Sequence, residues 1–197
     1  MRNTFAAYLK MEIMAKYLPA IAEEAQEWPL DKLTRYIMEH YHEGTVEQVK
    51  SLWTLAKQHM GKQGATDMHI IVRLLSESYD DLSNHFQKEE TVLFPYIIEL
   101  QGTINQGLEA QPFHCGSVQY PCHQMMMEHD SELERYDRII GICRTFTEPF
   151  ASSEECLLLT GFIEAFQQKL QEHIYLENEN LFPRAIAAEG LNEKNII

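Results

Sequence analysis

The segment His85-x3-Glu89-x3-Leu93-Phe94-Pro95 recurs as His173-x3-Glu177-x3-Leu181-Phe182-Pro183, 88 residues further along the chain. Spacing of i and i+4 puts the His and the Glu on one face of a helix, one turn apart. An imidazole nitrogen and a carboxylate oxygen so placed reach a common metal site. A single His-x3-Glu occurs by accident in many helices. Two copies with the same apolar-Pro tail call for two helices whose ligand faces meet.

The rest of the sequence supplies helices to hold them. Residues 30–60 place Leu33, Ile37, Tyr41, Val49, Leu52 and Ala56 on one broad face, interrupted only by Gly44. Gly61-Lys62-Gln63-Gly64 breaks the pattern. Residues 67–100 resume it, with Asp67 as the expected N-cap. Gly102, Gly107, Pro112 and Gly116 mark a long connection over 101–120. Pro121 then stands where a helix can begin, and 122–147 continue through Met125, Leu133, Ile140 and Cys143. Pro149 to Ser153 break again, with Ser152 and Glu155 fitting a capping box. The last helix is expected to reach about Ala188. Strand and hairpin signals are scarce. The reading is an all-α, up-down-up-down four-helix bundle over residues 28–189. A short helical extension over 1–27 precedes it, with Phe5, Leu9, Ile13 (or Met14) and Tyr17 at helical spacing, and a tail over 190–197 follows.

Residues equidistant from the turn of an antiparallel helix pair lie level with one another. The midpoint of His42 and His85 falls at Gln63–Gly64, and that of His129 and His173 at Ala151, each inside an expected turn. His42 is therefore level with the first His-x3-Glu, and His129 with the second. His40 competes with His42, but the two point about 200° apart at 100° per residue, and the apolar face lies closer to His42. Four His and two carboxylates suit a pair of iron ions, with Glu89 and Glu177 as natural bridges, two terminal His per metal, and a bridging oxide or hydroxide. No Cys stands at this level, which excludes an iron–sulfur cluster there.

Charge narrows the partners. Lys+Arg 16 against Asp+Glu 30 gives a formal −14. That balance disfavours nucleic acid, which needs Lys and Arg to neutralise phosphate, and equally an anionic membrane surface. No apolar run is long enough to span a bilayer, and the N-terminus does not read as a signal peptide. Cys115, Cys122, Cys143 and Cys156 form no CxxC and suit a reducing cytosol as free thiols, although Cys115 and Cys122 are close enough to pair if oxidised.

Tyr41-His42, His85-x3-Glu89 with Leu93-Phe94-Pro95, Met127-Glu128-His129-Asp130, and His173-x3-Glu177-Asn178 with Leu181-Phe182-Pro183-Arg184 together resemble the hemerythrin-like di-iron domain of the iron–sulfur cluster repair (RIC) family. The resemblance covers about 28–189. It implies iron ligands at His42, His85, Glu89, His129, His173 and Glu177, settles His42 over His40, and points to Asp81 and Glu128 as acidic neighbours of the site. It also implies a cytoplasmic, non-haem di-iron protein of nitrosative and oxidative stress defence. Such a protein reacts with nitric oxide or supplies iron to iron–sulfur clients; enzymatic nitric oxide reduction stays open, as does oxygen binding or sensing. Family members carry an N-terminal domain with an adjacent cysteine pair, whereas residues 1–27 hold no Cys.

Several residues admit two readings. Asp81, one turn before His85, is either a neighbour that accepts a His N–H, gates protons or ligates labile metal, or a solvated helix residue. Glu128 is either a site acid or a surface one. Met125-Met126-Met127 read as core filling rather than a soft metal site, and Tyr41 and Tyr175 as packing that could line the centre. His59, His69, His114 and His123 read as surface or loop residues. His114-Cys115 with Cys122-His123 is a weak candidate for a second metal site.

Overall fold

A computed structural model describes residues 20–193 apart from 109, 110, 112 and 115. The expected helix through Phe5 to Tyr17 and the Cys115–Cys122 pairing therefore lie outside the described residues. Among those described, every regular element is helical, and no helix is long and apolar enough to cross a membrane.

Four arms build the bundle. One turn of helix, α1 (Ala22–Ala25), leads into the first arm: α2 (Leu30–Ile37), a wide π-turn over Met38–His42, and α3 (Thr45–Gln58). The second arm is α4 (Met68–Lys88), a π-turn over Glu89–Leu93 and α5 (Phe94–Asn105). The third is the uninterrupted α6 (Gln119–Cys143). The fourth is α7 (Glu154–Leu176), a π-turn over Glu177–Leu181 and α8 (Phe182–Glu193). Neighbouring arms close a ring, with α3 against α4, α4 against α6, α6 against α7, and α7 against α3.

The turns that join arms one to two and three to four meet at the same end. Gly64 has φ +90°, and Thr147 N–H donates to its carbonyl at 3.0 Å. A Cβ on Gly64 would lie 2.2 Å from the Thr147 carbonyl oxygen, so only glycine lets the turns approach this closely. Lys62 reaches across to Glu155 at 3.1 Å. His59 lies under this junction beside Phe150 and is buried, contrary to the expected surface position. Its distance along the helix from the ligand level says nothing about what the second turn covers.

Two apolar clusters fill the interior. One, nearer the paired turns, includes Leu52, Leu75, Tyr136, Ile163 and Phe166. The other, at the far end, includes Leu33, Ile37, Phe94, Ile97, Leu176 and Phe182. Each such side chain contributes about 1.5–3 kcal/mol when fully buried. The ligand candidates lie in a polar layer between the clusters.

Three local expectations change. Asp67 stands just before α4 in the left-handed region with φ 63° and forms no side-chain cap. Ser153, not Ser152, caps α7, accepting from Cys156 N–H at 3.2 Å, while Ser152 Oγ donates to Glu148. The last helix continues to Glu193, past Ala188, because Pro183 sits at the start of α8 where a missing N–H breaks no bond. Arg184, next in sequence, then holds α1 to the fourth arm by donating to the carbonyls of Trp28 at 2.5 Å and Ala25 at 3.4 Å.

Candidate metal centre

The four arms bring His42, His85, Glu89, His129, His173 and Glu177 together in the polar layer, all buried. His40 points outward, stacked on Tyr36, as the angular offset from His42 requires. The six residues fall into two groups. His42, Glu89, His173 and Glu177 offer one set of ligand atoms, and His85, Glu89, His129 and Glu177 another; within each set the atoms lie within 4.8 Å of one another. The two carboxylates belong to both sets. Glu177 Oε1 is 2.9 Å from His173 Nε2, while its Oε2 is 3.1 Å from His129 Nε2. Glu89 Oε2 lies 3.3 Å from His85 Nε2 and 3.5 Å from His42 Nε2.

Close as they are, all four carboxylate oxygens lack a hydrogen bond of proper geometry. Buried acceptors left in this state carry a desolvation penalty of several kcal/mol per charge. Imidazole with carboxylate is a donor set suited to first-row divalent metals, and cations between the two groups would neutralise the oxygens. The residues therefore fit a metal pair.

The outer nitrogens of the imidazoles support the same orientation. His42 Nδ1 lies 2.9 Å from Glu90, His85 Nδ1 2.9 Å from Glu128 and His129 Nδ1 2.9 Å from Asn178 Oδ1. An Nδ1–H donated outward leaves the Nε2 lone pair facing the centre. The site's charge shows in its protonation. Burial pulls His85 down, but Glu89 and Glu128 outweigh it and push it up to about 10. Burial lowers His42 too, and Glu177, Glu89 and Glu90 raise it above its ordinary value. Burial alone would raise Glu177, yet His173, His129 and His42 hold it well below the carboxylate range. Hydrogen bonds from His85, then Lys88 and Gln124, hold Glu128 at about 2 despite partial burial. The carboxylates thus favour positive charge on His42 and His85, whereas burial holds His173 below its ordinary value.

Other candidates separate clearly. Glu128 touches the site through His85. Asp81 does not share that role; it is exposed and pairs with Arg135 at 2.5 Å. Met125 is buried, Met127 exposed, and Tyr41 stacks on His173 with ring centres 5.8 Å apart. His114 and His123 are exposed and Cys122 buried, and among the described residues only the two groups above could hold a metal. Sequence reasoning gave no role to Glu90, Asn178 or Glu132. A signal existed for the first two: each follows the Glu of its repeat, and each pairs with the His of the neighbouring arm. Glu132, one turn past His129, is buried and accepts from Ser78 and Arg135. Nothing in its spacing distinguishes it from a solvated glutamate.

Comparison with known proteins places this geometry in context. The family described as Hemerythrin HHE cation binding domain matches residues 33–185. The chain is 29% identical over 185 residues to the iron-sulfur cluster repair protein YtfE of Pectobacterium atrosepticum, covering 91% of this chain and 78% of that protein. It is 30% identical over 173 residues to the YtfE proteins of Yersinia pestis and Yersinia pseudotuberculosis, covering 87% of this chain and 72% of each of those proteins.

Proposed function

Because the chain belongs to the hemerythrin HHE cation-binding domain family, we propose that it is a non-haem di-iron protein of nitrosative and oxidative stress defence, reacting with nitric oxide or supplying iron for iron–sulfur cluster repair. That its relatives are iron-sulfur cluster repair proteins supports the repair assignment. The observation that carries the reading is the shared, unpartnered pair Glu89 and Glu177 between two sets of imidazoles. His42 and His173 would hold one iron, His85 and His129 the other, and the two glutamates would bridge them.

When bound, such a pair would supply Lewis acidity and reducing equivalents toward a small diatomic ligand. The chain's own residues do the rest. Glu90, Glu128 and Asn178 fix the imidazole orientation. The apolar clusters cover the layer from both ends, which strengthens the electrostatic hold on the cations. Residues 28–189 are the unit that carries this function, in a cytoplasmic setting with iron–sulfur proteins as clients.

Metal analysis and Mössbauer spectroscopy of the anaerobically purified protein test the reading, together with His85→Ala and His173→Ala. The expected result is two irons per wild-type chain and a loss in both variants. Two irons retained in both variants would refute the ligand assignment. Nitric oxide added anaerobically to the reduced protein should be consumed or should mobilise iron. Reversible oxygen spectra with neither outcome would mark an oxygen carrier instead.

A further inference from the structure

Apart from one another, the four imidazoles of the centre touch mostly phenylalanine rings. Phe86 and Phe94 stack on His42 with ring centres 4.2 and 5.3 Å apart, and Phe182 lies parallel to His129 at 6.2 Å. The exception is the buried Tyr41, which stacks on His173 at 5.8 Å with the ring planes 19° apart. A phenyl ring yields an electron only to oxidants far stronger than those that oxidise a phenol, and a phenol yields one readily when its proton can leave at the same time. Among the described residues, Tyr41 is therefore the one oxidisable ring, other than the imidazoles, in contact with the centre.

Both a proton and an electron have somewhere to go from Tyr41. Its hydroxyl has the carboxylate of Glu172, half-buried on α7, as hydrogen-bond partner. Its ring meets that of Tyr36 edge-on at 6.2 Å, and Tyr36, itself half-buried, stacks on the exposed His40 at 4.0 Å. Residues five apart in a regular α-helix sit about 140° round from one another. The π-turn over Met38–His42 takes up an extra residue and brings Tyr41 back towards Tyr36. Trp28 also touches Tyr36, at 5.1 Å, but the Lys32 ammonium lies 3.6 Å over its indole and opposes positive charge there. The ring series thus runs from His173 through Tyr41 and Tyr36 to the surface at His40. Electron transfer falls off steeply with distance, so short steps between touching rings outrun a single jump from the surface to the centre.

We propose that Tyr41 and Tyr36 form a relay that drains oxidising equivalents from the metal centre to the surface beside His40, where a small thiol quenches them. This rests on the di-iron reading. With hydrogen peroxide as the oxidant taken up at the centre, Tyr41 gives an electron towards the centre and its phenolic proton to Glu172. Tyr36 refills Tyr41 with an electron while Glu172 returns the proton, and the proton of Tyr36 leaves to solvent. The thiol then gives a hydrogen atom to Tyr36. Two passes supply the two electrons and two protons that turn one peroxide into two waters, and the two thiyl radicals join as a disulfide. Without the relay the oxidising equivalent stays beside the imidazoles and oxidises them.

The test uses the full chain loaded anaerobically with ferrous iron, its iron counted, then mixed with hydrogen peroxide and freeze-quenched for electron paramagnetic resonance. Tyr41→Phe and Tyr36→Phe each keep the ring and remove only the hydroxyl; Trp28→Phe is the control beside the route. The wild type should show a tyrosyl radical that glutathione discharges. Tyr36→Phe should strand the radical on Tyr41 and slow its discharge by glutathione about tenfold. Tyr41→Phe should cut the radical yield about tenfold, and peptide mapping should find oxidised His173 in its place. Trp28→Phe should match the wild type. An iron-loaded wild type without a tyrosyl radical, Tyr41→Phe with undiminished yield, or Tyr36→Phe discharging at the wild-type rate would overturn the inference while leaving the di-iron reading intact. A chain that never holds two irons would overturn both.

Discussion

Replacing Glu177 with Gln separates shared carboxylates from private ones. Glu177 Oε1 lies 2.9 Å from His173 Nε2, and Oε2 lies 3.1 Å from His129 Nε2, so one side chain serves both donor groups. An amide keeps one acceptor oxygen and puts an NH₂ donor where the second oxygen was, facing an imidazole whose lone pair is needed inward. A metal that binds only the folded chain stabilises it by RT ln(1 + [L]/Kd), about 4.1 kcal/mol at 1,000 times Kd. In a chain of this size 1 kcal/mol moves Tm by roughly 2–4 °C, so each filled position should add roughly 8–16 °C. Anaerobic calorimetry with and without ferrous iron reads this directly, and metal analysis counts what stays bound. His42→Ala removes a ligand from one group only and should keep one metal and one position's share of the shift. Glu177→Gln should lose both metals and nearly all of the shift. If Glu177→Gln instead retains one metal and half the shift, as His42→Ala does, the carboxylate does not bridge and the paired-site argument fails.

Other consequences are independent of metal. Gly64→Ala meets the Thr147 carbonyl at 2.2 Å on a left-handed backbone, so urea unfolding should show a loss above about 2 kcal/mol. Gly44→Ala, at φ +76° with open space around it, should lose only about 1 kcal/mol. Glu189 is buried and accepts from Tyr96 and Ser117 hydroxyls and from Val118 and Phe113 N–H. Burial would raise its pKa, but these donors hold it below the ordinary value, so its stabilisation is full above about pH 4.3 and is lost as pH falls through the depressed folded value. Glu189→Gln should therefore be less stable at pH 7 by about 1–3 kcal/mol, a gap that closes at strongly acid pH in denaturant titrations. Burial, reinforced by Glu89 and Glu177, pushes the Cys122 thiol up to about 12, and burial takes Cys143 to about 11. Peptide mapping after alkylation at pH 8 should find these two labelled only once the protein is unfolded.

What the sequence revealed and what it hid follow from the range of each signal. Apolar periodicity and the breaks at Gly61–Gly64 and Pro149–Ser153 are local, and they suffice for four antiparallel arms. The i, i+4 spacing of His85 with Glu89 and of His173 with Glu177 is also local, and counting back from each turn brings in His42 and His129. Contacts between arms are a different matter. That Glu90 meets His42, or that Glu132 is buried against Ser78, depends on the rotation of each helix about its axis. Helical phase alone leaves that rotation undetermined by tens of degrees. The burial of His59 depends on where the second turn comes to lie, and the capping of α7 by Ser153 rather than Ser152 on a one-residue shift. The π-turns were hidden for the same reason, since an extra residue per turn leaves the apolar pattern nearly intact.

Those π-turns explain why the repeat extends beyond its His and Glu. In a regular α-helix the residue five after Glu89 would sit about 140° round from it. The wide turn bonds Phe94 N–H to the Glu89 carbonyl, and Phe182 N–H to that of Glu177, so each Phe comes back over its glutamate. From there Phe94 stacks on His42 at 5.3 Å, and Phe182 lies parallel to His129 at 6.2 Å. In both copies the ring covers the histidine of the neighbouring arm, while the residue after the glutamate, Glu90 or Asn178, holds that histidine's Nδ1. Pro95 and Pro183 then open the next helical segment, where the missing N–H costs little. Each repeat therefore supplies two candidate ligands from its own helix, and an orienting partner and an apolar cover for a third on the preceding arm. His42 sits at the end of a π-turn of its own, two residues before Gly44, whereas His129 lies on unbroken α6. The third arm presents its histidine without such a turn, so the covering and orienting of His129 fall to the fourth arm alone.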